Sequence, residues 1–132
     1  NLLSDWREKP MVIQILLHIS NTDLALLDYC REQGSQVEAY SPIAHGEALK
    51  NPAIAVIAKK NGVIAPQLCI RYVIELGAVA LPKTANPDHM ASNAAVDFTI
   101  SSEDMETLKH TDRSADYGEI NIFPVFSGKP LA

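Results

Sequence analysis

The sequence predicts an α/β protein built on a parallel sheet. Three short apolar segments, at residues 11–19, 37–40 and 79–81, are each followed by a helical pattern. Apolar runs without alternation are typical of parallel strands that are covered on both faces. With 132 residues and 47% hydrophobic content, the chain is long enough to build one core. We therefore expect a single domain over residues 1–132, in the order strand, helix, strand, helix, helix, strand, helix, helix.

The first strand and helix are predicted from an apolar run and the cap that follows it. Only Gln14 and His18 interrupt the apolar run of residues 11–19, and the simpler interpretation is a core amide and a histidine at the strand end. The segment 21–23 supplies helix-capping side chains, and Gly34 suits the helix end. Leu24, Leu27 and Arg31 are expected to lie along one face of this helix, with Cys30 beside them.

The middle of the chain predicts a second strand and two helices. The strand of residues 37–40 ends before Ser41-Pro42, where an X-Pro bond disfavours helix, and residues 43–46 are expected to form a loop over the end of the sheet. Asn51-Pro52 combines an N-cap with a proline at the first helical position. The next helix begins near Ala65 and stops at Gly77. Its inward face is expected to hold Leu68, Tyr72 and Leu76.

The third strand leads into a turn that could hold a phosphate. Residues 79–81 read as a buried strand that ends at Pro82, after which Lys83 and Thr84 precede the cap Asn86. A lysine, a hydroxyl and a helix N-terminus together suit an anion. The simpler alternative is a strand-to-helix turn with a solvated lysine. A last helix is predicted from Ser101, with Asp104 at capping-box spacing and Met105 and Leu108 facing inward.

Charge and cysteine content narrow the class of protein. Sixteen acidic and eleven basic residues give a net charge of −5, which argues against a nucleic-acid or anionic membrane partner. The sequence contains no apolar segment of membrane-spanning length and no signal-peptide pattern at residues 1–6. Cys30 and Cys69 fall in predicted helices among apolar neighbours, so we expect reduced, packed thiols and a cytoplasmic protein, with a disulfide as the less favoured alternative.

Three stretches resemble the aldo-keto reductases, in the same order. They are Val37-Glu38-Ala39-Tyr40-Ser41-Pro42-Ile43, then Ala65-Pro66-Gln67-Leu68-Cys69-Ile70-Arg71-Tyr72, then Leu81-Pro82-Lys83-Thr84 with the segment 86–105. The family fold is a (β/α)₈ barrel, typically of about 250 residues. The resemblance therefore implies a partial (β/α)₈ TIM barrel of about three C-terminal βα units and a C-terminal tail. It also implies an oxidoreductase that uses NADP(H).

The resemblance assigns cofactor contacts residue by residue. Gln14 matches the residue that holds the nicotinamide carboxamide, Tyr40 the ring that stacks on the nicotinamide, and Ser41 the serine beside the pyrophosphate. The simpler alternative for Tyr40 is a ring that packs at the rim of the barrel without contacting a cofactor. The remaining matched positions contact the 2′-phosphate and the adenine, and they are Lys83, Thr84, His89 and Asn93.

The sequence also departs from the family. His89 replaces an arginine and Ser92 a glutamate near the 2′-phosphate, which predicts weak nucleotide binding. A helix cap is replaced by Ile64, and three polar or proline positions of the first strand are apolar here, at Ile13, Leu16 and Ile19. The family's catalytic tyrosine, lysine, aspartate and histidine match no position in these 132 residues, and the serine–asparagine pair that also grips the carboxamide is absent.

Two classes of function remain open. The first is the nucleotide-binding part of an NADP(H)-dependent aldehyde or ketone reductase, inactive alone and acting on a small-molecule carbonyl substrate only if the barrel is completed. The second is a non-catalytic binding or interaction protein with the family's packing. Either class leaves unpaired sheet edges, so self-association or a partner at those edges is expected. The resemblance implies that the C-terminal tail borders the substrate pocket, which makes Phe123, Val125 and Phe126 candidates for a pocket wall, with simple packing as the favoured alternative.

Overall fold

A computed structural model describes residues 8–113, which form a three-stranded parallel sheet with helices. The sheet order is β1-β2-β3. The elements, in chain order, are β1 (Val12–Leu16), α1 (Leu24–Glu32), β2 (Gln36–Tyr40), a 3₁₀ segment (Ala44–Lys50), α2 (Pro52–Lys60), α3 (Ala65–Glu75), β3 (Val79–Leu81), α4 (Pro87–Ala94) and α5 (Ser102–Lys109). The predicted order of strands and helices is confirmed. The tail candidates Phe123, Val125 and Phe126 lie outside the described residues.

The two faces of the sheet have different surroundings. Val37 and Ala39 of β2 are buried, at 5% and 0% exposure, in the core that the helices cover. Ile13, Ile15 and Ala80 of the neighbouring strands are half-buried against the same core. Because side chains alternate along a strand, Glu38 and Tyr40 point to the opposite face. In register with them on that face are Val12, Gln14, Leu16, Gln36, Val79 and Leu81.

This opposite face is open, so the prediction of strands buried on both sides was wrong. Val12 and Val79 are 50% and 45% exposed, and Leu81 is 36% exposed. Met11, expected inside the first strand, lies outside it and is 82% exposed. Gln14 is exposed and is therefore not a core amide. Within residues 8–113, the apolar side chains of Val12, Val79 and Leu81 on this face therefore remain accessible to solvent.

Local caps set the helix bounds as the sequence predicts. Asp23 accepts a hydrogen bond from the Leu26 amide at 3.0 Å, and Asn51 accepts one from the Ala53 amide at 2.9 Å. Ile64 has no acceptor, but the Gln67 side chain still accepts from the Ile64 amide at 3.0 Å. Half of the capping box is thus retained without the usual hydroxyl.

The helices bury the predicted residues, with one exception on α1. Leu68, Tyr72 and Leu76 are buried, as are Met105 and Leu108. On α1 the inward residues are Leu27 and Cys30, whereas Leu24 is 43% exposed and Arg31 pairs with Asp28 at 2.8 Å at the surface. The prediction for α1 was therefore wrong for Leu24 and Arg31. The buried face runs through Leu27 and Cys30, because the Arg31 guanidinium pairs with Asp28 at the surface and the Cys30 thiol packs in the core.

Polar contacts tie the loop after β1 to the core. Thr22 donates its hydroxyl proton to the His18 carbonyl at 3.0 Å, so the Tyr72 hydroxyl donates to Thr22 Oγ1 at 2.8 Å. Cys30 and Cys69 are buried free thiols, and burial raises the pKa of Cys69 to about 12. These thiols are therefore protonated at neutral pH and serve as packing groups.

No single helix in residues 8–113 has the length and apolar character needed to cross a membrane, although α2 and α3 together, with an 86° bend between them, reach that length.

Candidate nucleotide-binding site

A cleft opens where β2 and β3 end side by side. Tyr40 pairs with Leu81 in the last row of the sheet, so the residues that follow each strand leave it at the same edge. The cleft has a volume of about 640 Å³. It is lined by Tyr40, Ser41, Pro42, Ile43, His45, Gly46, Leu81, Pro82 and Lys83. Ligands of open parallel sheets bind at this carboxyl edge, where the loops converge.

The wall formed by the β2 loop has an unusual backbone. Ser41, Ala44 and His45 all have positive φ, at 53°, 51° and 53°. Non-glycine residues in this region cost on the order of 1 kcal/mol or more each, and such strain concentrates at ligand clamps. The conformation brings Ser41 Oγ to 3.0 Å from His45 Nε2. The loop therefore presents a serine hydroxyl and an imidazole to the cleft in one fixed arrangement.

The opposite wall leads into the turn before α4. Lys83 is exposed at the cleft rim. Thr84 Oγ1 accepts a hydrogen bond from the Asn86 amide at 3.1 Å, which leaves its own O–H as a donor. Asn86 Oδ1 accepts from the Asp88 amide at 2.8 Å and the His89 amide at 3.4 Å. Since Pro87 has no N–H, the first amides of α4 are already used, and Lys83 and the Thr84 hydroxyl supply the donors for an anion here.

The other matched residues lie outside this cleft. His89 is exposed and Asn93 half-buried on α4, beyond the turn. Gln14 lies on β1, on the same open face as Tyr40, two register rows below the Leu16–Tyr40 pair. Its Nε2 donates to Glu38 Oε2 at 3.4 Å. The structure thus brings Tyr40, Ser41 and Lys83 together in one cleft, with Thr84 next to it in sequence.

Two ionisable groups near this end of the sheet have shifted pKa values. Burial raises the pKa of Tyr40, so its ring carries a neutral hydroxyl at neutral pH. Burial is also the largest cause that lowers the pKa of His18 to about 4, and the charges of His45 and Arg113 add to the effect. His18 is fully buried and neutral at pH 7, as a core histidine rather than a base open to solvent.

The structure adds residues that sequence patterns did not single out. The hydrogen bond between Ser41 and His45 depends on positive φ values that no local motif indicated. Glu38 was part of the matched stretch but had no role until the strand register placed it opposite Gln14. Among the described residues, no cluster of histidine, cysteine or carboxylate side chains could hold a metal ion.

The fold and the cleft together define a parallel α/β unit with a candidate ligand site at the carboxyl ends of its strands. The sequence profile of the Aldo/keto reductase family matches residues 2–113. The chain is 36% identical over 118 residues to glyoxal reductase of Bacillus subtilis, covering 89% of this chain and 43% of the relative. It is 40% identical over 104 residues to an oxidoreductase of Schizosaccharomyces pombe, covering 78% of this chain and 38% of the relative.

A solved structure shows the same relationship. An aldo-keto reductase in complex with NADPH superimposes with a TM-score of 0.79 at 30% identity, covering 89% of this chain and 40% of that chain. The protein belongs to the aldo-keto reductase family. Its fold is part of the family's (β/α)₈ barrel, and the chain spans about two fifths of the length of the relatives it matches. The predicted family and fold class are confirmed.

Proposed function

We propose that this chain is the C-terminal, nucleotide-binding part of an NADP(H)-dependent aldo-keto reductase. The observation that carries the proposal is that Tyr40, Ser41 and Lys83 line one cleft at the carboxyl edge of the sheet. A flat ring, a hydroxyl and a cation are the groups needed to stack on nicotinamide and to hold phosphate oxygens. Residues 1–132 act as one domain in this proposal.

In this proposal, the residues after β2 hold the nicotinamide end of the dinucleotide, and the residues after β3 hold the adenosine end. Tyr40 offers its ring to the nicotinamide, while Ser41 faces the pyrophosphate. The 2′-phosphate meets Lys83 and the Thr84 hydroxyl at the start of α4, and Asn93 lies further along the helix for the adenine. His89 lies in the first turn of α4, where its backbone amide donates to Asn86 Oδ1 at 3.4 Å.

Hydride transfer to a carbonyl needs a positioned proton donor, and the family's catalytic tyrosine, lysine, aspartate and histidine match no position of this sequence. Tyr40 belongs to the cofactor side of the cleft, and Tyr72 is fully buried and donates to Thr22. We therefore propose that the 132-residue chain binds nucleotide without reducing aldehydes. Reduction of a small-molecule carbonyl substrate requires the rest of the barrel to provide the acid.

The open sheet supports a second role in association. Within the described residues, β1 and β3 each pair with one neighbour only, so each has an outer edge with unpaired backbone groups. The exposed side chains Val12, Val79 and Leu81 add apolar surface to the open face. We propose that the isolated chain self-associates or binds a partner polypeptide through this surface.

NADPH fluorescence titration tests the nucleotide site. We expect Tyr40→Ala to weaken NADPH binding several-fold, because aromatic stacking contributes about 0.5–1.5 kcal/mol beyond burial. Tyr40→Phe should retain most of the affinity. Tyr29→Ala is the matched control, since Tyr29 lies on α1 and is 36% exposed away from the cleft. Equal loss in the Tyr40 and Tyr29 alanine variants, or no binding by the unmodified chain, would refute the proposal.

A further inference from the structure

A hydrogen bond on the open face of the sheet determines which atom of Gln14 can meet a ligand. Gln14 on β1 and Glu38 on β2 are direct register partners, and Gln14 Nε2 lies 3.4 Å from Glu38 Oε2. Both side chains point away from the core that buries Val37 and Ala39 on either side of Glu38. Cross-strand partners on one face have Cβ atoms about 4.5–5.5 Å apart, so the two groups interact whenever both are ordered.

The chemistry of the pair leaves one orientation of the amide. A carboxylate only accepts hydrogen bonds, whereas a glutamine amide has one accepting end and one donating end. The donating Nε2 therefore faces Glu38. The reverse orientation would place two acceptors 3.4 Å apart. With Nε2 engaged, Gln14 presents its Oε1 atom to the open face.

The neighbours of Glu38 strengthen this assignment. On β3 its register partner is Val79, which carries no polar group. Along β2 the next residue on the same face is Tyr40, which lines the cleft. Gln14 is therefore the side chain that receives the orienting effect of the carboxylate, two register rows from the Tyr40–Leu81 row at the cleft.

We propose that Glu38 is a positioning residue that holds Gln14 with its oxygen outward, so that this site selects a ligand group that donates a hydrogen bond. This inference rests on the NADP(H) binding proposed above and on the resemblance that matches Gln14 to the carboxamide contact; there, that group is the amino group of the nicotinamide carboxamide. Glu38 does not touch the cofactor. It acts by excluding the flipped amide, which would select a hydrogen-bond acceptor instead.

Two cofactors that differ in one group separate this role from general stability. NADPH carries a carboxamide, whereas the reduced 3-acetylpyridine analogue keeps the carbonyl and lacks the N–H donor. We expect the chain to bind NADPH about two- to tenfold more tightly than the analogue, the range of one hydrogen bond. Glu38→Gln and Gln14→Ala should both bring this ratio close to one, and the double variant should lower it no further. Glu32→Gln, an exposed glutamate on α1, is the matched control.

A second measurement needs no cofactor. The side-chain amide signals of Gln14, assigned by their loss in Gln14→Ala, should shift in the NMR spectrum of Glu38→Gln and not in that of Glu32→Gln. Unchanged signals, or a Glu38→Gln variant that keeps the ratio of the unmodified chain, would overturn the inference. A ratio of one with measurable NADPH binding would refute it and leave the proposed function standing. No NADPH binding at all would refute the proposed function, and the amide signals would then decide the role of Glu38.

Discussion

Lys83 offers the sharpest test of the phosphate turn. It is exposed at the rim of the cleft, and the first amides of α4 are already capped by Asn86, so the lysine is the main charge available to a 2′-phosphate. Replacing it with alanine should weaken NADP(H) binding and leave NAD(H) binding nearly unchanged, because NAD(H) has no 2′-phosphate. The preference for NADP(H) over NAD(H) therefore measures the lysine directly.

The exposure of Lys83 sets the expected magnitude. At a separation of about 4 Å in bulk water, a unit charge and a phosphate monoester of charge about −2 attract by about 2 kcal/mol. At physiological salt, where the Debye length is about 8 Å, screening reduces this to about 1.2 kcal/mol. That energy corresponds to about an eightfold preference for NADP(H). At 1 M salt, where the Debye length is about 3 Å, the preference should fall to about two- to threefold.

Fluorescence titrations of NADPH and NADH at both salt concentrations would measure this preference. Lys59→Ala is the matched control, because Lys59 is an exposed lysine in the last turn of α2. The preference should disappear in Lys83→Ala and persist in Lys59→Ala. Equal affinity of the unmodified chain for both nucleotides, or a preference insensitive to salt, would refute the electrostatic reasoning.

Three further predictions concern activity, assembly and acid stability. The 132-residue chain should not oxidise NADPH with a panel of aldehydes, since loss of general acid assistance costs about 10²–10⁴ in rate. Light scattering should show mass increasing with concentration, and Val12→Lys, on the outer strand β1, should reduce it. Because the folded state holds the pKa of His18 at about 4, below the unfolded value, stability should fall by about 3 kcal/mol as the pH drops from 6.5 to 4. Urea denaturation across this range should show a smaller loss for His18→Gln.

Each of these predictions has a result that would contradict it. If aldehyde turnover survived repurification, the chain itself would contain a general acid that protonates the carbonyl oxygen. A monomer at every concentration would mean that the sheet edges are covered in solution. An equal acid dependence in His18→Gln and in the unmodified chain would assign the loss to the carboxylates, whose protonation also weakens pairs such as Lys60–Asp104, 2.9 Å apart.

The local rules of the chain determined where its elements begin and end. Asn51 and Asn86 act as caps before prolines, and Gly34 and Gly77 adopt positive φ just after helices, where the sequence placed these ends. Helix ends can be predicted from the sequence because each cap forms between atoms a few residues apart and does not depend on contacts with distant segments.

The tertiary structure decided what is buried and which functional groups meet. An apolar strand such as Val79–Leu81 reads as fully buried, yet one face is open, because burial depends on segments far away in the chain. The same holds for Gln14 and Glu38, which are 24 residues apart and meet only through the strand register. Sequence by itself therefore determined the family, the order of the elements and the candidate contacts. Only the packing of distant segments decided which face of the sheet those contacts occupy.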